Sequence, residues 1–282
     1  MLKYVFMFLF LTLTSAVVCG DELRVMTLNI RNDNPNDGLD NWKYRDHIVA
    51  SMFAKHKVDV AGLQEVKHGQ LLRLNELLPG YAAVGVGRDD GKTKGEYSPI
   101  YYRRVRFELV GNKTVWLSEN PEQVGSKSWD AALPRIATFV WLRDKTTQQI
   151  HLLVNTHYDH RGSMARKASS VVIVQWLQRM REKIKPATVT VMGDFNCREN
   201  SPPFQELISK SSLVDSRSRV GSYSGPDSTW CGFKKVVPGQ RIDFVFVDKT
   251  MKVESHVTDP TQVKGRFPSD HLPVIIGISL QD

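Results

Sequence analysis

The sequence predicts an α+β fold in which two packed, mainly antiparallel β-sheets are flanked by helices. Three observations lead to this prediction. Short runs rich in β-branched and aromatic residues outnumber the segments with helical spacing. Helices follow some of these runs but not all, so the chain neither alternates strictly between strand and helix nor consists of strands alone. No internal repeat, low-complexity tract or linker divides the chain. Two sheets packed face to face, with helices outside, bury the apolar faces of such elements.

The composition is that of an ordinary globular protein, with 41% hydrophobic and 24% charged residues among 282. A chain of this length can bury a large core, and we expect residues 21–282 to form one domain. The net charge is +8 at pH 7 and would be +7 without residues 1–20, which hold one lysine and no acid. That charge suits a polyanionic substrate and is equally compatible with simple solubility. After residue 20 the chain has two cysteines, Cys197 and Cys231, and the sequence leaves their pairing open.

The start of the chain has the pattern of a secretory signal peptide. Lys3 precedes an apolar run over residues 4–18, and the small residues Cys19 and Gly20 follow it. The run is shorter than the ~20 residues that usually cross a bilayer, so an uncleaved membrane anchor is the weaker alternative. We expect a signal peptide at 1–20 and a mature chain that starts near Asp21. The mature protein is then secreted or periplasmic, without a stable membrane anchor, and we expect it to be a monomer.

The first half of the chain alternates strands and helices. Apolar and period-two runs predict four strands, at 23–30, 58–63, 81–87 and 98–103. Apolar residues at helical spacing predict a helix at 42–57, and a second helix at 70–78 ends before Pro79. The segment 31–38 is dense in turn formers and is expected to be a loop.

The second half contains more strands than helices. A hairpin is expected from 135–142 and 149–155, followed by a long helix at 166–185. A β-branched run beginning at Val189 ends in a Gly-Asp-Phe-Asn turn at 193–196. A short helix at 204–208 precedes a long loop at 217–239. The remaining predicted strands lie at 242–247, 253–257 and 272–278.

Polar side chains recur where these strands begin or end. They are Asn29, Glu65, Glu96, His157, Asp159, Asp194, Asn196, Asp243, Asp270 and His271. Any one of them alone is more often a solvated or structural residue than a functional one. Their types argue against coincidence, because carboxylate and amide oxygens without thiolates are ligands suited to Mg²⁺ or Mn²⁺. Histidines next to carboxylates are suited to proton transfer.

A metal, a water-activating carboxylate and imidazoles together indicate hydrolysis of a phosphate ester. The metal and an imidazolium would neutralise charge on the phosphoryl oxygens while the carboxylate aligns or deprotonates water. Other catalytic classes lack their motifs, since the chain has no Gly-x-Ser-x-Gly elbow, no Gly-x-x-x-x-Gly-Lys loop and no Cys-x-x-Cys pair.

Six motifs in order resemble those of the endonuclease/exonuclease/phosphatase superfamily. They are Asn29, Leu63-Gln64-Glu65, Asn155-Thr156-His157, Gly193-Asp194-Phe195-Asn196, Arg241-Ile242-Asp243-Phe244 and Ser269-Asp270-His271. The resemblance covers essentially the whole mature chain. It implies the four-layer α/β/β/α sandwich of the deoxyribonuclease-I-like fold and a metal-dependent phosphoesterase.

The resemblance also implies a role for each motif residue. Glu65 looks like the principal metal ligand, and Asn29 and Asp270 complete or support that site, with Mg²⁺ or Mn²⁺ as the expected cofactor. Asp194 looks like the residue that activates or positions the attacking water, and Asn196 like its neighbour that holds the phosphate.

Two acid–histidine pairs are implied as well. Asp243 and His271 resemble the pair that faces the phosphoryl oxygens, and Glu96 and His157 resemble a second pair on the opposite side of the phosphate. For Glu96 the alternative is an ordinary surface glutamate. Asp159 follows the His157 motif, and we expect it to lie in a solvated loop.

We therefore expect a secreted, metal-dependent hydrolase of phosphate esters, with a phosphodiesterase or nuclease as the first candidate and nucleic acid as its polymer substrate. A phosphatase acting on a small phosphorylated metabolite or lipid headgroup is the alternative, and an inactive binding protein of the same fold is a remote one. Aromatic residues beside lysines in the loop at 217–239 either stack bases or anchor the loop; they are Tyr223, Trp230, Phe233, Lys234 and Lys235.

Overall fold

The computed structural model describes residues 22–280, so the predicted signal peptide at 1–20 lies outside the described residues. Within 22–280 there are twelve strands: β1 (Leu23–Asn29), β2 (Val60–Gln64), β3 (Tyr81–Val84), β4 (Ile100–Arg103), β5 (Phe107–Trp116), β6 (Ile136–Asp144), β7 (Ile150–His157), β8 (Thr188–Asp194), β9 (Leu213–Asp215), β10 (Asp243–Asp248), β11 (Met251–Thr258) and β12 (Val274–Leu280). The α-helices of the same range are α1 (Asp46–Lys55), α2 (His68–Leu77), α3 (Ser163–Ile184) and α4 (Pro202–Ser209).

The strands form two six-stranded sheets, ordered β11-β12-β1-β2-β4-β3 and β5-β6-β7-β8-β10-β9. Each sheet contains one parallel pair near its centre, β1–β2 in the first and β7–β8 in the second, and the other pairings are antiparallel. A parallel pair needs a crossover connection, and α1 and α3 supply it. The prediction of two mainly antiparallel sheets with outer helices is confirmed.

Period-two burial explains why four layers form. In β10, Phe244 and Phe246 pack on the α3 side of the second sheet, whereas Val245 and Val247 face the first sheet. One apolar cluster lies between the sheets, a second lies under α3 and α4, and a third lies between the first sheet and the α1 and α2 helices. The order of layers is therefore helices, sheet, sheet, helices.

Several predicted boundaries were wrong, and two strands were missed. The helix predicted at 42–57 begins at Asp46, because Trp42–Tyr44 forms a separate 3-10 turn. The strand predicted at 81–87 ends at Val84. The missed β5 lies at the edge of its sheet, where Gly111 follows a register shift and the exposed side chains obscure a strand pattern. The missed β9 has three residues.

Two further observations bear on questions left open by the sequence. Cys197 and Cys231 are buried free thiols in separate apolar clusters, so the fold does not pair them. A search of residues 22–280 finds no helix with the length and apolar character needed to cross a membrane.

Candidate active site

The polar strand-end residues converge because both parallel pairs end at the same edge of the sandwich. Asn29 closes β1, and Glu65 follows β2. His157 closes β7 next to Asp194 at the end of β8, and the two are paired in the sheet register. Asp243 opens the antiparallel β10 and lies opposite Asp194. The topology thus collects residues that are far apart in sequence at one edge.

Asn29 links the two sheets. Its fully buried amide donates one hydrogen bond to Glu65 Oε1 at 3.1 Å and one to Asp194 Oδ2 at 3.0 Å. The amide oxygen accepts from the backbone N–H of Arg31 at 2.9 Å, which fixes this orientation. Asn29 therefore presents its nitrogen to both carboxylates and positions Glu65, instead of offering an oxygen beside it.

Glu65 is held rigidly for a residue at the edge of a site. Its backbone is left-handed, with φ of +60°, a conformation that costs a non-glycine residue on the order of 1 kcal/mol. Its Oε2 accepts from the backbone and side-chain nitrogens of Asn32 at 3.0 and 2.9 Å. Burial alone would raise the pKa of Glu65, but hydrogen bonds from Asn32 and Asn29 bring it below its usual value. The carboxylate is therefore charged at neutral pH.

Asp270 lies near Glu65 and is half-buried. Burial raises its pKa; the charge of His271 opposes the rise and the nearby charge of Glu65 adds to it. Ser269 Oγ donates to Asp270 Oδ1 at 3.1 Å. Two carboxylates whose charges repel each other across a partly desolvated site are arranged as expected for binding a cation.

The turn after β8 is fixed by packing. A Cβ on Gly193 would lie 2.0 Å from the backbone oxygen of Thr156, so this close approach of β7 and β8 requires glycine. Phe195 is buried with its ring centroid 4.8 Å from that of Tyr158, in an edge-on contact. The backbone N–H of Asn196, which has φ of +46°, donates to Asp194 Oδ1 at 2.9 Å. The two polar residues are thus held on either side of a buried aromatic anchor.

His271 and Asp243 form a buried pair. His271 Nδ1 lies 2.9 Å from Asp243 Oδ2, and its Nε2 lies 3.8 Å from Asp194 Oδ2. Burial opposes a charged imidazole, but Asp243 and Asp194 raise the pKa of His271 well above its usual value. Burial and the charge of Asp243 raise the pKa of Asp194 to about 7. This side of the site therefore holds an imidazolium next to a carboxyl group that titrates near neutral pH.

His157 has the opposite charge state. Asn196 Nδ2 donates to the backbone oxygen of Tyr158 at 3.0 Å, which fixes the amide, and it also lies 3.0 Å from His157 Nε2. An amide nitrogen only donates, so Nε2 accepts and carries no proton. Burial, followed by the charges of Arg135 and Arg88, lowers the pKa of His157 well below its usual value. The imidazole is neutral.

Glu96 is not a surface glutamate, because its side chain is only 16% exposed. It pairs with Arg88 Nη1 at 2.6 Å and accepts a weaker contact from Asn32 Nδ2 at 3.4 Å. No hydrogen bond joins Glu96 to His157 in the part of the chain that the structure describes. Burial raises the pKa of Glu96, Arg88 opposes the rise and Glu65 adds to it. The implied Glu96–His157 pair is thus near the site without being in direct contact.

The expectation that Asp159 lies in a solvated loop is wrong. It is 1% exposed and accepts hydrogen bonds from the backbone N–H groups of Ala132, Leu133, Arg161 and Gly162, at 2.8 to 3.2 Å. These donors lower its pKa although burial would raise it. An Asp followed by Gly three residues later is a typical turn signature, and that spacing could have indicated the buried turn. Its neighbour His160 is exposed.

Three residues at the site were missed by the sequence reasoning: Asn32, Arg88 and Arg135. Asn32 contacts both Glu65 and Glu96, although it lies in a segment that reads as a plain turn. Arg88 and Arg135 come from loops and are buried at 8% and 5% exposure. A buried arginine has no signal in local sequence, because only its tertiary neighbours distinguish it from a solvated one.

Phe233 and the backbone of Trp230 anchor the loop at 217–239. The ring of Phe233 lies 5.0 Å from the guanidinium carbon of the buried Arg45, which also donates to the carbonyl oxygens of Ile30 and Pro268. The backbone of Trp230 forms a β-bridge with His271, which holds the loop against the site. The Tyr223 ring contacts Arg217 within the loop and is 42% exposed. The base-stacking alternative receives no support from this packing.

Oxygen and nitrogen donors in this arrangement are suitable for a metal ion. Ligand atoms of Asp194, Asp243 and His271 lie within 4.8 Å of one another, and they could hold an ion. Asp243 Oδ1 is buried and has no hydrogen-bond partner among the described residues, as expected of an atom that another group would satisfy. Glu65 and Asp270 supply a second pair of carboxylates close by. The donor set fits a hard divalent cation.

A sequence model of the endonuclease/exonuclease/phosphatase family matches residues 26–271. A solved endonuclease/exonuclease/phosphatase from Bacteroides vulgatus is 38% identical with a TM-score of 0.87, over 92% of this chain and 99% of that chain. A mannosyl-6-phosphatase from Bacteroides thetaiotaomicron is 33% identical with a TM-score of 0.86, over 92% of this chain and 100% of that chain. The catalytic domain of human Nocturnin, at 20% identity and a TM-score of 0.74 over 92% of this chain and 94% of that chain, shares the fold. Curated protein sequences gave no match.

Proposed function

The chain belongs to the endonuclease/exonuclease/phosphatase family, and from this we propose that it is a metal-dependent phosphatase of small phosphorylated metabolites, with a sugar phosphate as the first candidate substrate. The family supports hydrolysis of phosphate esters in general. The finer assignment is supported by the mannosyl-6-phosphatase that shares 33% of its residues over essentially its whole length. A phosphomonoester therefore replaces the nuclease substrate as the first candidate.

One observation supports the catalytic proposal most directly. The amide of Asn29 joins Glu65, on the first sheet, to Asp194, on the second, through two hydrogen bonds. In our proposal Glu65 is the cation-binding carboxylate and Asp194 the water-activating one, and the buried Asn29 side chain lies between them. A site divided in this way can hold a phosphate between a metal and a nucleophilic water.

The residues around Asp194 have complementary roles in the proposed reaction. Asp194, with a pKa of about 7, accepts a proton from the attacking water near neutral pH. His271 donates from Nε2 to a phosphoryl oxygen, and Asp243 orients the ring through Nδ1. Asn196 and the neutral His157, joined by the hydrogen bond from Asn196 Nδ2 to His157 Nε2, line the opposite side of the site.

A bound divalent ion, which we propose to be Mg²⁺ or Mn²⁺, supplies neutralisation of phosphoryl charge and lowers the pKa of water. Glu65 and Asp270 would hold it, with Asn29 orienting Glu65. Asp194, Asp243 and His271 are the alternative ligands. We favour the first set because Asn29 and Asn32 hold the Glu65 carboxylate in place, whereas His271 Nδ1 is already bound to Asp243.

The experiment that tests the proposal is a substrate screen with and without a chelator. Purified residues 21–282 are incubated with a panel of sugar phosphates, p-nitrophenyl phosphate, bis-p-nitrophenyl phosphate, plasmid DNA and RNA. We expect phosphomonoesters to be hydrolysed fastest, and activity to vanish on chelation and return with Mg²⁺ or Mn²⁺. Activity that survives complete chelation would sink the metal mechanism. Inertness toward every ester would support the inactive binding protein.

A phosphodiesterase or nuclease is the second candidate, because the net charge of +8 suits a polyanion. Faster hydrolysis of DNA or RNA than of any monoester, weakening steeply as salt rises, would establish it.

Export and a monomeric state are also part of the proposal. Export is supported by the signal-like pattern at 1–20. N-terminal sequencing of the exported product should begin near Asp21, and light scattering should give the mass of one chain. A retained N-terminus or a dimer mass would contradict these two points.

A further inference from the structure

Two buried arginines beside His157 remain unexplained by the catalytic roles above. Arg88 is 8% exposed and Arg135 is 5% exposed. Each guanidinium carries a buried N–H group without a hydrogen-bond partner among residues 22–280, Nε of Arg88 and Nη1 of Arg135. Buried guanidinium groups are rarely left with free donors. Two of them together indicate a place where a further group binds.

The contacts of Arg135 fix its position next to the site. It immediately precedes β6, and its Nη2 lies 2.9 Å from His160 Nδ1. Its Nε lies 3.5 Å from Asp159 Oδ2, an oxygen that already accepts from two backbone N–H groups. Asp159 therefore neutralises Arg135 only in part, and Nη1 stays free.

Arg88 contacts Glu96 and lies near Asp89. Its Nη1 donates to Glu96 Oε2 at 2.6 Å. Its Nε lies 3.9 Å from Asp89 Oδ1, which is beyond hydrogen-bonding distance, and Asp89 is half-exposed to water. The backbone oxygen of Arg88 accepts from Trp116 Nε1 at 2.6 Å, which holds the loop in place.

The two arginines act on each other and on the catalytic residues. Both arginines lie beside the end of β5, because the backbone oxygen of Arg88 accepts from Trp116 Nε1 and that of Arg135 accepts from the backbone N–H of Leu117. Burial and then the charge of Arg88 lower the pKa of Arg135. Both also lower the pKa of His157. Glu96 pairs with Nη1 of Arg88, and neither Nε of Arg88 nor Nη1 of Arg135 has an acceptor among the described residues. An anion is the ligand that could accept from both N–H groups.

We propose that Arg88 and Arg135 form a second anion-binding subsite beside His157, and that it binds the extra negative oxygen of a terminal phosphomonoester. The proposal rests on the proposed function and specifies its substrate class. Guanidinium N–H groups match phosphate oxygens in geometry and charge. The arginine pair then makes the site selective for dianions and lies on the opposite side of the phosphate from His271.

The discriminating property is charge on the scissile phosphate. A phosphomonoester carries about −1.5 to −2 charges at pH 7 because its second pKa is ~6, whereas a diester carries a single charge that an added cationic subsite stabilises less. A diester also lacks the third free oxygen that would reach the arginines. The subsite should therefore increase monoester turnover relative to diester turnover.

The first test measures kcat/KM for p-nitrophenyl phosphate and bis-p-nitrophenyl phosphate in Arg135→Gln and Arg88→Gln. We expect the monoester-to-diester ratio to fall ~10-fold or more in each variant, the size of a lost charge-assisted hydrogen bond. Arg135→Lys keeps the charge but loses the planar guanidinium, so its monoester-to-diester ratio should lie between those of wild type and Arg135→Gln. Arg135→Gln should fold, because Asp159 retains its backbone donors; thermal unfolding checks this.

The matched control is Arg143→Gln. Arg143 lies on β6 as well, but near its far end, seven residues beyond Ile136. That places it ~20 Å from the site along the strand, and it is paired with Glu108 at 3.4 Å on the surface. The control removes the same charge, so long-range electrostatics alone would give it the same ratio change. We expect the ratio to stay within ~2-fold of wild type.

A second readout uses inorganic phosphate and needs no turnover. With metal chelated, phosphate should raise the unfolding temperature of wild type, since a ligand that binds the folded state stabilises it. The rise should be absent or halved in Arg135→Gln and unchanged in Arg143→Gln. An equal rise in all three proteins would overturn the subsite.

The outcomes separate the two proposals. A wild type that hydrolyses neither ester contradicts the proposed function, while the phosphate measurement still tests the arginine pair. A wild type that hydrolyses monoesters, with an unchanged monoester-to-diester ratio in both glutamine variants, contradicts the subsite alone. Equal losses on both esters in folded variants likewise contradict selectivity and assign the arginines to structural support of the loops.

Discussion

His157 and His271 flank the same carboxylate and have opposite charge states. Their Nε2 atoms lie 3.4 and 3.8 Å from Asp194 Oδ2, and each residue is 6% exposed. The pKa of His157 is lowered and that of His271 is raised. Residue type, burial and shared neighbour are the same, so the difference must come from the groups behind each ring.

The groups behind the rings are Arg135 and Arg88 on one side and Asp243 on the other. Asp243 accepts from His271 Nδ1 and stabilises the imidazolium, whereas the arginines repel a proton on His157. The site therefore has a cationic side and a neutral side around one titrating carboxyl group. In the proposed mechanism, this asymmetry lets the charged His271 hold the phosphate beside the carboxyl group that accepts a proton from the attacking water.

Removing the carboxylate of Asp194, which both histidines contact, should reduce kcat more than substituting either histidine. Asp194→Asn keeps the shape but removes the proton acceptor, so kcat should fall ~10³-fold, within the range for loss of a general base. Steady-state kinetics on p-nitrophenyl phosphate measures it, with circular dichroism as the control for folding. A change confined to KM would contradict the assigned role.

Removing the charged ring should have the next largest effect. His271→Gln retains a hydrogen-bond donor but no positive charge, so kcat should fall ~10²-fold, about the loss measured when an oxyanion donor is removed. Asp243 is left without its partner, and the variant should also unfold at lower denaturant concentration. An unchanged kcat with a lowered stability would make His271 purely structural.

Removing the neutral ring should have a smaller effect. His157→Gln keeps a hydrogen-bonding side chain and changes no charge, so we expect kcat to fall only ~10-fold, a loss of order 1.4 kcal/mol. Parallel kinetics of the two glutamine variants tests the asymmetry directly. Equal losses would show that the two rings do not differ in charge during turnover.

A buried histidine outside the site, His256, shows how burial alone changes the pKa of an imidazole when the nearby charges of Arg241 and Asp215 oppose each other. His256 is 2% exposed, and burial, helped by Arg241 and opposed by Asp215, lowers its pKa to about 4. Its folded-state pKa is below the unfolded value of ~6.5. The stability that comes from keeping His256 neutral is therefore fully present above pH ~6.5 and is lost as pH falls toward about 4.

The corresponding measurement is urea unfolding of wild type and His256→Phe at pH ~7 and ~5. Protonation of His256 in the unfolded state should lower the free energy of unfolding of wild type by about 2 kcal/mol between pH ~7 and ~5. The decrease in the phenylalanine variant should be smaller by about the same amount. We expect kcat to be unaffected. A pH dependence identical in both proteins would show that His256 does not titrate as its burial requires.

The elements that sequence could predict are those with local signals. The polar ends of β1, β2, β7, β8 and β10 were found because apolar runs stop there, and the parallel pairs bring them together, as with Asn29 and Asp194, 165 residues apart. The charge state of His157 could not be predicted, because it depends on Arg88 and Arg135, which come from loops distant in sequence. The Asp243–His271 pair was implied by the motifs. The expectation of a solvated Asp159 was wrong for a similar reason, because the backbone N–H groups that cover this turn residue come partly from a distant loop.

The pairing of β12 with β1 joins the end of the chain to its beginning next to the candidate site. β12 lies between β11 and β1, and the Asp270–His271 segment directly precedes it. Asn29, at the end of β1, is made early, whereas Asp270 and His271 are made late. A chain that stops before Asp270 has most of its core but no complete candidate site, so we expect the site to assemble only after β12 has paired with β1.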